Sequence, residues 1–113
     1  MKVLVIEDDL VSARKIESDL ESLGAERVKV FQKGVDALDH LSVSQYNLIV
    51  VDLKLPDIDG IKLIRSIRQT DLISKIIIVS GSINQETLSQ CVGLGIEDFL
   101  CKPYAKERLA NHL

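Results

Sequence analysis

The sequence predicts an α/β fold, a doubly wound parallel sheet in which five strands alternate with five helices. Three observations lead there. Short, solidly apolar runs recur at Val3–Ile6, Leu48–Val51 and Ile76–Val79, and runs of that kind read as strands covered on both faces. Between them, apolar residues return every three or four positions, the spacing of one helix face. The connections are short, and short connections between alternating elements force the strands parallel and place helices on both faces of the sheet.

The first strand, Val3–Ile6, ends in the acids Glu7, Asp8 and Asp9, with Asp9 placed to cap the first helix. Leu10, Ala13, Ile16, Leu20 and Leu23 mark one face of that helix, and Gly24 is its stop. Arg27–Phe31 alternates polar and apolar residues, which suits a half-exposed strand at the sheet edge. Val35, Leu38 and Leu41 mark a second helix. Leu48–Val51 runs straight into Asp52, then a polar loop with Pro56 and Gly60 leads into a third helix. Ile61, Ile64 and Ile67 give that helix its buried face, Asp59 or Asp57 its cap, and Arg65 and Arg68 its solvated side. Ile76–Val79 ends in Ser80-Gly81-Ser82. Leu88, Cys91 and Val92 mark a weaker fourth helix. Phe99-Leu100-Cys101 is a last short strand ending in Lys102-Pro103, and Leu109 and Leu113 mark a fifth helix. With the wholly apolar strands in the middle and the alternating one at the edge, the expected architecture is a flavodoxin-like doubly wound (βα)5 sheet in the strand order 2-1-3-4-5.

Composition narrows the function. The chain has 113 residues, of which 46% are hydrophobic, enough for one core in one domain spanning residues 1–113. A net charge of −3 offers no basic field for direct contact with nucleic acid or an anionic membrane surface. Cys91 and Cys101 stand in no metal-binding or disulfide spacing, which fits a reducing compartment. No apolar run approaches the ~20 residues of a membrane helix, and the apolar start is too short for a signal peptide. A cytoplasmic domain is expected.

The chemistry is expected at one edge. In a parallel sheet the C-terminal ends of all strands share a rim, and ligands of open α/β sheets bind there. That rim collects Glu7, Asp8 and Asp9 from the first strand, Asp52 from the third, Ser80 from the fourth and Lys102 from the fifth. Carboxylates ~4 Å apart repel by about 4 kcal/mol per pair at a surface-like dielectric, and a divalent cation reverses the sign. All-oxygen donors without His or Cys favour Mg²⁺ or Mn²⁺ over zinc. A carboxylate nucleophile, a metal, a hydroxyl and an amine form a set suited to phosphoryl transfer.

The motifs EDD, VVDLKLPDIDG, VSG and CKP, in that order and each at an expected strand end, resemble the receiver domain of bacterial two-component response regulators over nearly the whole chain. That resemblance implies that Asp52 is the phosphoacceptor for a phosphohistidine of a histidine kinase or histidine phosphotransfer domain. It implies Mg²⁺ held by Asp8, Asp52 and the backbone carbonyl of Lys54, with Glu7 supporting the site through water. It implies that Ser80 hydrogen-bonds the phosphoryl group, that Lys102 pairs with it across a cis Lys102-Pro103 bond, and that Ser80 and Phe99 move together as a switch. Lys54 and Ser82 stand where the family tunes the lifetime of the phosphorylated form, and neither is a carboxylate that orients water. The segment Ala105–Leu113 is short for the family's fifth helix. The chain therefore reads as a piece of a longer regulator with an output domain, or as a trimmed one. The face of the fourth helix, fifth strand and fifth helix is where the family pairs into homodimers.

Three other functions compete. A Mg²⁺-dependent phosphatase of the haloacid dehalogenase type needs a second aspartate two residues after its nucleophile, where this chain has Lys54. A flavin-binding electron carrier needs a phosphate loop of hydroxyls and amides, where this chain has three acids. A receiver-like interaction module that takes no phosphoryl group would be expected to lack one of the side chains just named. Cys101 reads as a small buried hydrophobe, and His40 and His112 as exposed helix residues.

Overall fold

The computed structural model describes residues 1–113, and its elements alternate strictly. They are β1 (Lys2–Ile6), α1 (Leu10–Ser22), β2 (Arg27–Phe31), α2 (Gly34–Leu41), β3 (Leu48–Val51), α3 (Gly60–Arg68), β4 (Lys75–Ser80), α4 (Gln85–Gln90), β5 (Ile96–Cys101) and α5 (Lys106–Ala110). All strand pairs are parallel, and the sheet order is β2-β1-β3-β4-β5. The expected architecture and strand order are therefore found.

The strand period of two sorts the core into two layers. Leu4, Ile6, Ile49, Val51, Ile76 and Ile78 face α2 and α3, where they meet Leu63, Ile64 and Ile67. Val3, Val5, Leu48, Val50, Ile77 and Val79 face α1 and α5, where they meet Ile16, Leu20 and Leu109. Each such side chain, taken fully out of water, contributes about 1.5–3 kcal/mol, which is why the three wholly apolar strands occupy the sheet centre. Asp9 caps α1 through the Ser12 amide at 3.1 Å, and Gly24, at φ +100°, takes the left-handed turn that ends it.

Several expected details differ. Leu10 and Val35 stand on the outer sides of their helices, 55% and 44% exposed. Helix α4 buries none of its own residues, and the buried Cys91 follows it as its C-cap while Val92 lies exposed. Strand β5 begins at Ile96, three residues before the apolar Phe99, because Ile96 and Asp98 pair with β4 on either side of a bulge at Glu97. Cys101 is exposed rather than buried, since it lies at the strand end past the helical cover. Helix α5 is only Lys106–Ala110.

The basic face of α3 is the largest departure. Arg65 is exposed but donates to the Gln90 carbonyl at the end of α4, at 3.3 Å. Arg68 is half-buried and binds four backbone carbonyls, those of Leu94 (2.7 Å), Ser74 (2.7 Å), Asp71 (3.1 Å) and Gly95 (3.1 Å). It ties the α3–β4 and α4–β5 turns together. The two histidines are also half-buried rather than exposed. His40 lies 2.5 Å from the Tyr46 hydroxyl and against the Phe31 ring, and His112 lies 3.0 Å from Asp98, which also binds Arg108.

Candidate functional site

The strand ladder itself places the functional residues. The Glu7 amide donates to the Phe31 carbonyl (2.9 Å), the Asp52 amide to the Ile6 carbonyl (3.0 Å) and the Lys102 amide to the Ser80 carbonyl (2.9 Å). Each bond extends the sheet one step past its last regular residue. Glu7, Asp52, Ser80 and Lys102 thus stand in neighbouring registers at the C-terminal rim.

There the side chains converge. The Lys102 ammonium donates to the Glu7 carboxylate and to Asp52 Oδ2, the latter at 3.0 Å. The other Asp52 oxygen accepts from the Lys54 amide at 3.2 Å. Glu7 is 1% exposed and Asp52 7%, so two carboxylates are held nearly out of water. Burial pushes the Glu7 carboxyl up, reinforced by its hydrogen bond with Asp52. Burial pulls Asp52 the same way, but its hydrogen bonds with Glu7, Lys102 and the Lys54 amide outweigh it and hold Asp52 below the usual range. Lys102 loses hydration as well, yet its two acidic partners raise its pKa and keep it charged.

Asp8 is exposed, and its carboxylate completes a cluster with Glu7 and Asp52 in which one oxygen from each lies within 4.8 Å of the others. Oxygens bound to one magnesium ion stand at most about 4.2 Å apart. The cluster is near that span, carries only hard oxygen donors, and is short of positive charge for its three acids. The residues therefore fit Mg²⁺ or Mn²⁺.

The loop after Asp52 is closed at its neck. Lys54 pairs with Asp59 in an isolated antiparallel bridge, and the Gly60 amide donates to the Leu53 carbonyl at 3.1 Å. A Cβ on Gly60 would stand 2.5 Å from Leu53 Cα, so only glycine lets the start of α3 approach this closely. Of the two aspartates expected as caps, Asp59 caps α3 through the Ile61 and Lys62 amides. Asp57 instead binds the Gly34 and Val35 amides at the start of α2, at 3.0 and 2.9 Å. Those amides, Val35 first, hold the Asp57 carboxyl below its usual range.

The structure thus brings Glu7, Asp8, Asp52 and Lys102 into one group. Ser80 is fully buried beside Lys102, and its hydroxyl accepts from the Ser82 amide at 3.4 Å. Phe99 is half-buried against the α2–α3 core layer. The Lys102-Pro103 bond is cis. Lys54 is exposed and offers its backbone to the site. Sequence reasoning missed Tyr104, whose hydroxyl donates to Asp19 at 2.8 Å and locks the turn after β5 onto α1. It also missed Gln32, whose side chain donates to the Asp8 carbonyl at 3.2 Å. Neither carries a local signal, since the partners lie 85 and 24 positions away. A concavity of about 1370 Å³ opens at the opposite rim around Leu38, Tyr46 and Ile67 and includes none of the acidic group. Charge and register, not depth, set this rim apart.

Comparison with known proteins points the same way. The family described as the response regulator receiver domain matches residues 3–113. The cell cycle transcriptional regulator CtrA of Caulobacter vibrioides is 36% identical over 109 residues, covering 96% of this chain and 47% of its own length. The chain spans about half the length of the curated relatives it matches. A receiver domain of a sensor histidine kinase from Pseudomonas aeruginosa, described with a magnesium ion coordinated in its active site cleft, superposes with a TM-score of 0.86 at 30% identity, covering 97% of this chain and 91% of that one. A receiver domain protein from Methanospirillum hungatei shares the fold with a TM-score of 0.90 at 24% identity, covering 97% of this chain and 87% of that one.

Proposed function

The chain belongs to the response regulator receiver domain family, and from that premise we propose that residues 1–113 are a phosphoacceptor domain in which Asp52 receives a phosphoryl group from a phosphohistidine. One observation supports this above the rest. Asp52 is a nearly buried carboxylate held ionised by Lys102 and the Lys54 amide, beside two further acids.

In the proposed step a carboxylate oxygen of Asp52 attacks phosphorus. The bond from phosphorus to the imidazole nitrogen breaks, the electron pair leaves with the imidazole, and an acyl phosphate remains on Asp52. Glu7, Asp8, Asp52 and the Lys54 carbonyl would hold Mg²⁺ or Mn²⁺, which when bound neutralises charge on the phosphoryl oxygens. Lys102, which here spans Glu7 and Asp52, turns one of its hydrogens to a phosphoryl oxygen. The Ser80 hydroxyl donates to another, and Phe99 moves into the space it leaves. Phosphorylation then biases an equilibrium between two arrangements of the β4–α4 and β5 segments. Lys54 and Ser82 add no water-orienting carboxylate, so the phosphorylated form is not short-lived.

Receiver domains are signalling domains rather than classical enzymes. The chemistry proposed here is self-catalysed phosphotransfer and autodephosphorylation. The donor is a histidine kinase or histidine phosphotransfer domain. An output domain in a longer parent chain would account for the other half of the relatives' length, and the α4–β5–α5 face would carry a homodimer. No helix is long and apolar enough to cross a membrane, in keeping with a cytoplasmic site of action.

Incubation with acetyl phosphate and Mg²⁺, followed by intact mass, tests the reading. A gain of one phosphoryl group that vanishes in Asp52→Asn is expected. No gain in the unaltered chain would favour an interaction module that takes no phosphoryl group. Steady turnover of small phosphate esters would instead favour a phosphatase.

A further inference from the structure

We infer that the first turn of α2 is a brace that sets the two metal-bearing loops against each other, with Asp57 and Gln32 as positioning residues for the cation. The inference rests on the reading of Asp52 as a Mg²⁺-assisted phosphoacceptor. It concerns side chains that touch neither phosphoryl group nor metal.

Two loops carry the cation-binding groups, one after β1 with Glu7 and Asp8, the other after β3 with Asp52 and Lys54. The adjoining ends of the strands are joined by ladder bonds, but the loops themselves extend beyond the ladder. The Asp8 carboxylate is exposed and has no hydrogen-bond partner in the chain, so its place is set through its backbone. That backbone is gripped by Gln32, whose side-chain amide donates to the Asp8 carbonyl at 3.2 Å. Two residues later α2 begins, and its N-cap residue Lys33 makes no side-chain cap. The cap comes from the other loop, where Asp57 takes the Gly34 and Val35 amides on its two oxygens at 3.0 and 2.9 Å. The segment 32–35 therefore holds one loop with a side chain and the other with its backbone.

The contact is close as well as bonded. A Cβ at Gly34 would meet Ile58 Cγ2 at 2.4 Å and Leu55 Cδ1 at 3.2 Å, so the loop after Asp52 lies flush on the helix start. With its neck closed by the Lys54–Asp59 bridge and its tip pinned by Asp57, the loop keeps the Lys54 carbonyl at a set distance from Asp8. Helix-start amides favour a carboxylate, so the pin persists wherever Asp57 is ionised.

The test follows Mg²⁺ titration by amide NMR of the ¹⁵N-labelled chain, reading Lys54 and Asp9. Side chains that orient a metal ligand cost about 10–100-fold in affinity when lost. Asp57→Ala is expected to raise the half-saturating Mg²⁺ about tenfold, the low end of that span. The rate of phosphorylation by acetyl phosphate at saturating Mg²⁺ should stay near that of the unaltered chain. Asp57→Asn keeps one acceptor oxygen for one of the two amides and should recover part of the affinity. Gln32→Ala should weaken binding alone and further in combination. A merely stabilising cap would lower the melting temperature and leave Mg²⁺ affinity unchanged, and that result overturns the inference while sparing the proposed function. A difference between Asp57→Ala and the unaltered chain that vanishes in about 0.5 M salt would assign the loss to long-range charge and overturns it too. An unaltered chain that binds no Mg²⁺ would end both.

Discussion

Asp8→Asn should make the metal-free protein more stable while removing its response to magnesium. One carboxylate oxygen from each of Glu7, Asp8 and Asp52 lies within 4.8 Å of the other two. At that spacing a pair of full charges repels by about 3.5 kcal/mol at an effective dielectric of ~20, and by about 1 kcal/mol at the dielectric of water. Asp8 is exposed, so the lower figure governs, and its two pairs together cost about 1.7 kcal/mol. Lys102 binds Glu7 and Asp52 but not Asp8, so neutralising Asp8 removes repulsion without breaking an ion pair. For a chain of this size that gain corresponds to roughly 7 °C in melting temperature. In the unaltered chain, Mg²⁺ at about ten times its dissociation constant should add about 1.4 kcal/mol by linkage. Thermal unfolding by circular dichroism, in chelator and then in millimolar Mg²⁺, reads both quantities. Expected is a higher midpoint for Asp8→Asn in chelator and little further rise with Mg²⁺. A variant that melts at or below the unaltered chain in chelator, or gains as much from Mg²⁺, would refute the electrostatic argument.

Two further outcomes are expected. Burial raises Glu7 above its ordinary 4.5, so between that pH and the raised value the folded chain keeps a proton that the unfolded chain has lost. Stability in chelator should therefore fall as pH rises through the window, and Glu7→Gln should flatten that fall in urea midpoints taken from about pH 4 upward. An undiminished fall would place its origin at another group. Arg68→Ala strands four backbone carbonyls, each bond contributing about 0.5–1 kcal/mol net at a site partly open to water. A loss of about 3 kcal/mol by urea unfolding is expected, with faster amide exchange confined to the turns around residues 71–74 and 93–95. A loss below ~0.5 kcal/mol would mean that water replaces the guanidinium freely.

Local pattern carried the sheet because burial is a local signal. Val3–Ile6, Leu48–Val51 and Ile76–Val79 have no polar residue to expose, so they could only become central strands, and their order follows from alternation and short connections. Strand β5 was recognised late in its length because Glu97 and Asp98 break the apolar run, although Ile96 and Asp98 pair with β4 around a bulge at Glu97. Leu10 and Val35 suited a helix stripe by spacing alone, and the rotation of each helix on the sheet left them outside.

The site divides in the same way. Glu7, Asp52, Ser80 and Lys102 each follow a strand, so their meeting was legible once the strands were taken as parallel. The amino-acid order thus determined the architecture and the rim where Glu7, Asp52 and Lys102 meet, because apolar periodicity and strand-end position are properties of neighbours in the chain. The folded structure alone decided that Asp57 caps α2 rather than α3, that Gln32 grips Asp8, and that Arg68 leaves the wet face to bind carbonyls. Those bonds join polar side chains to backbone groups up to 27 positions away. Such partners become neighbours only after the helices have docked, so no local run of residues announces them.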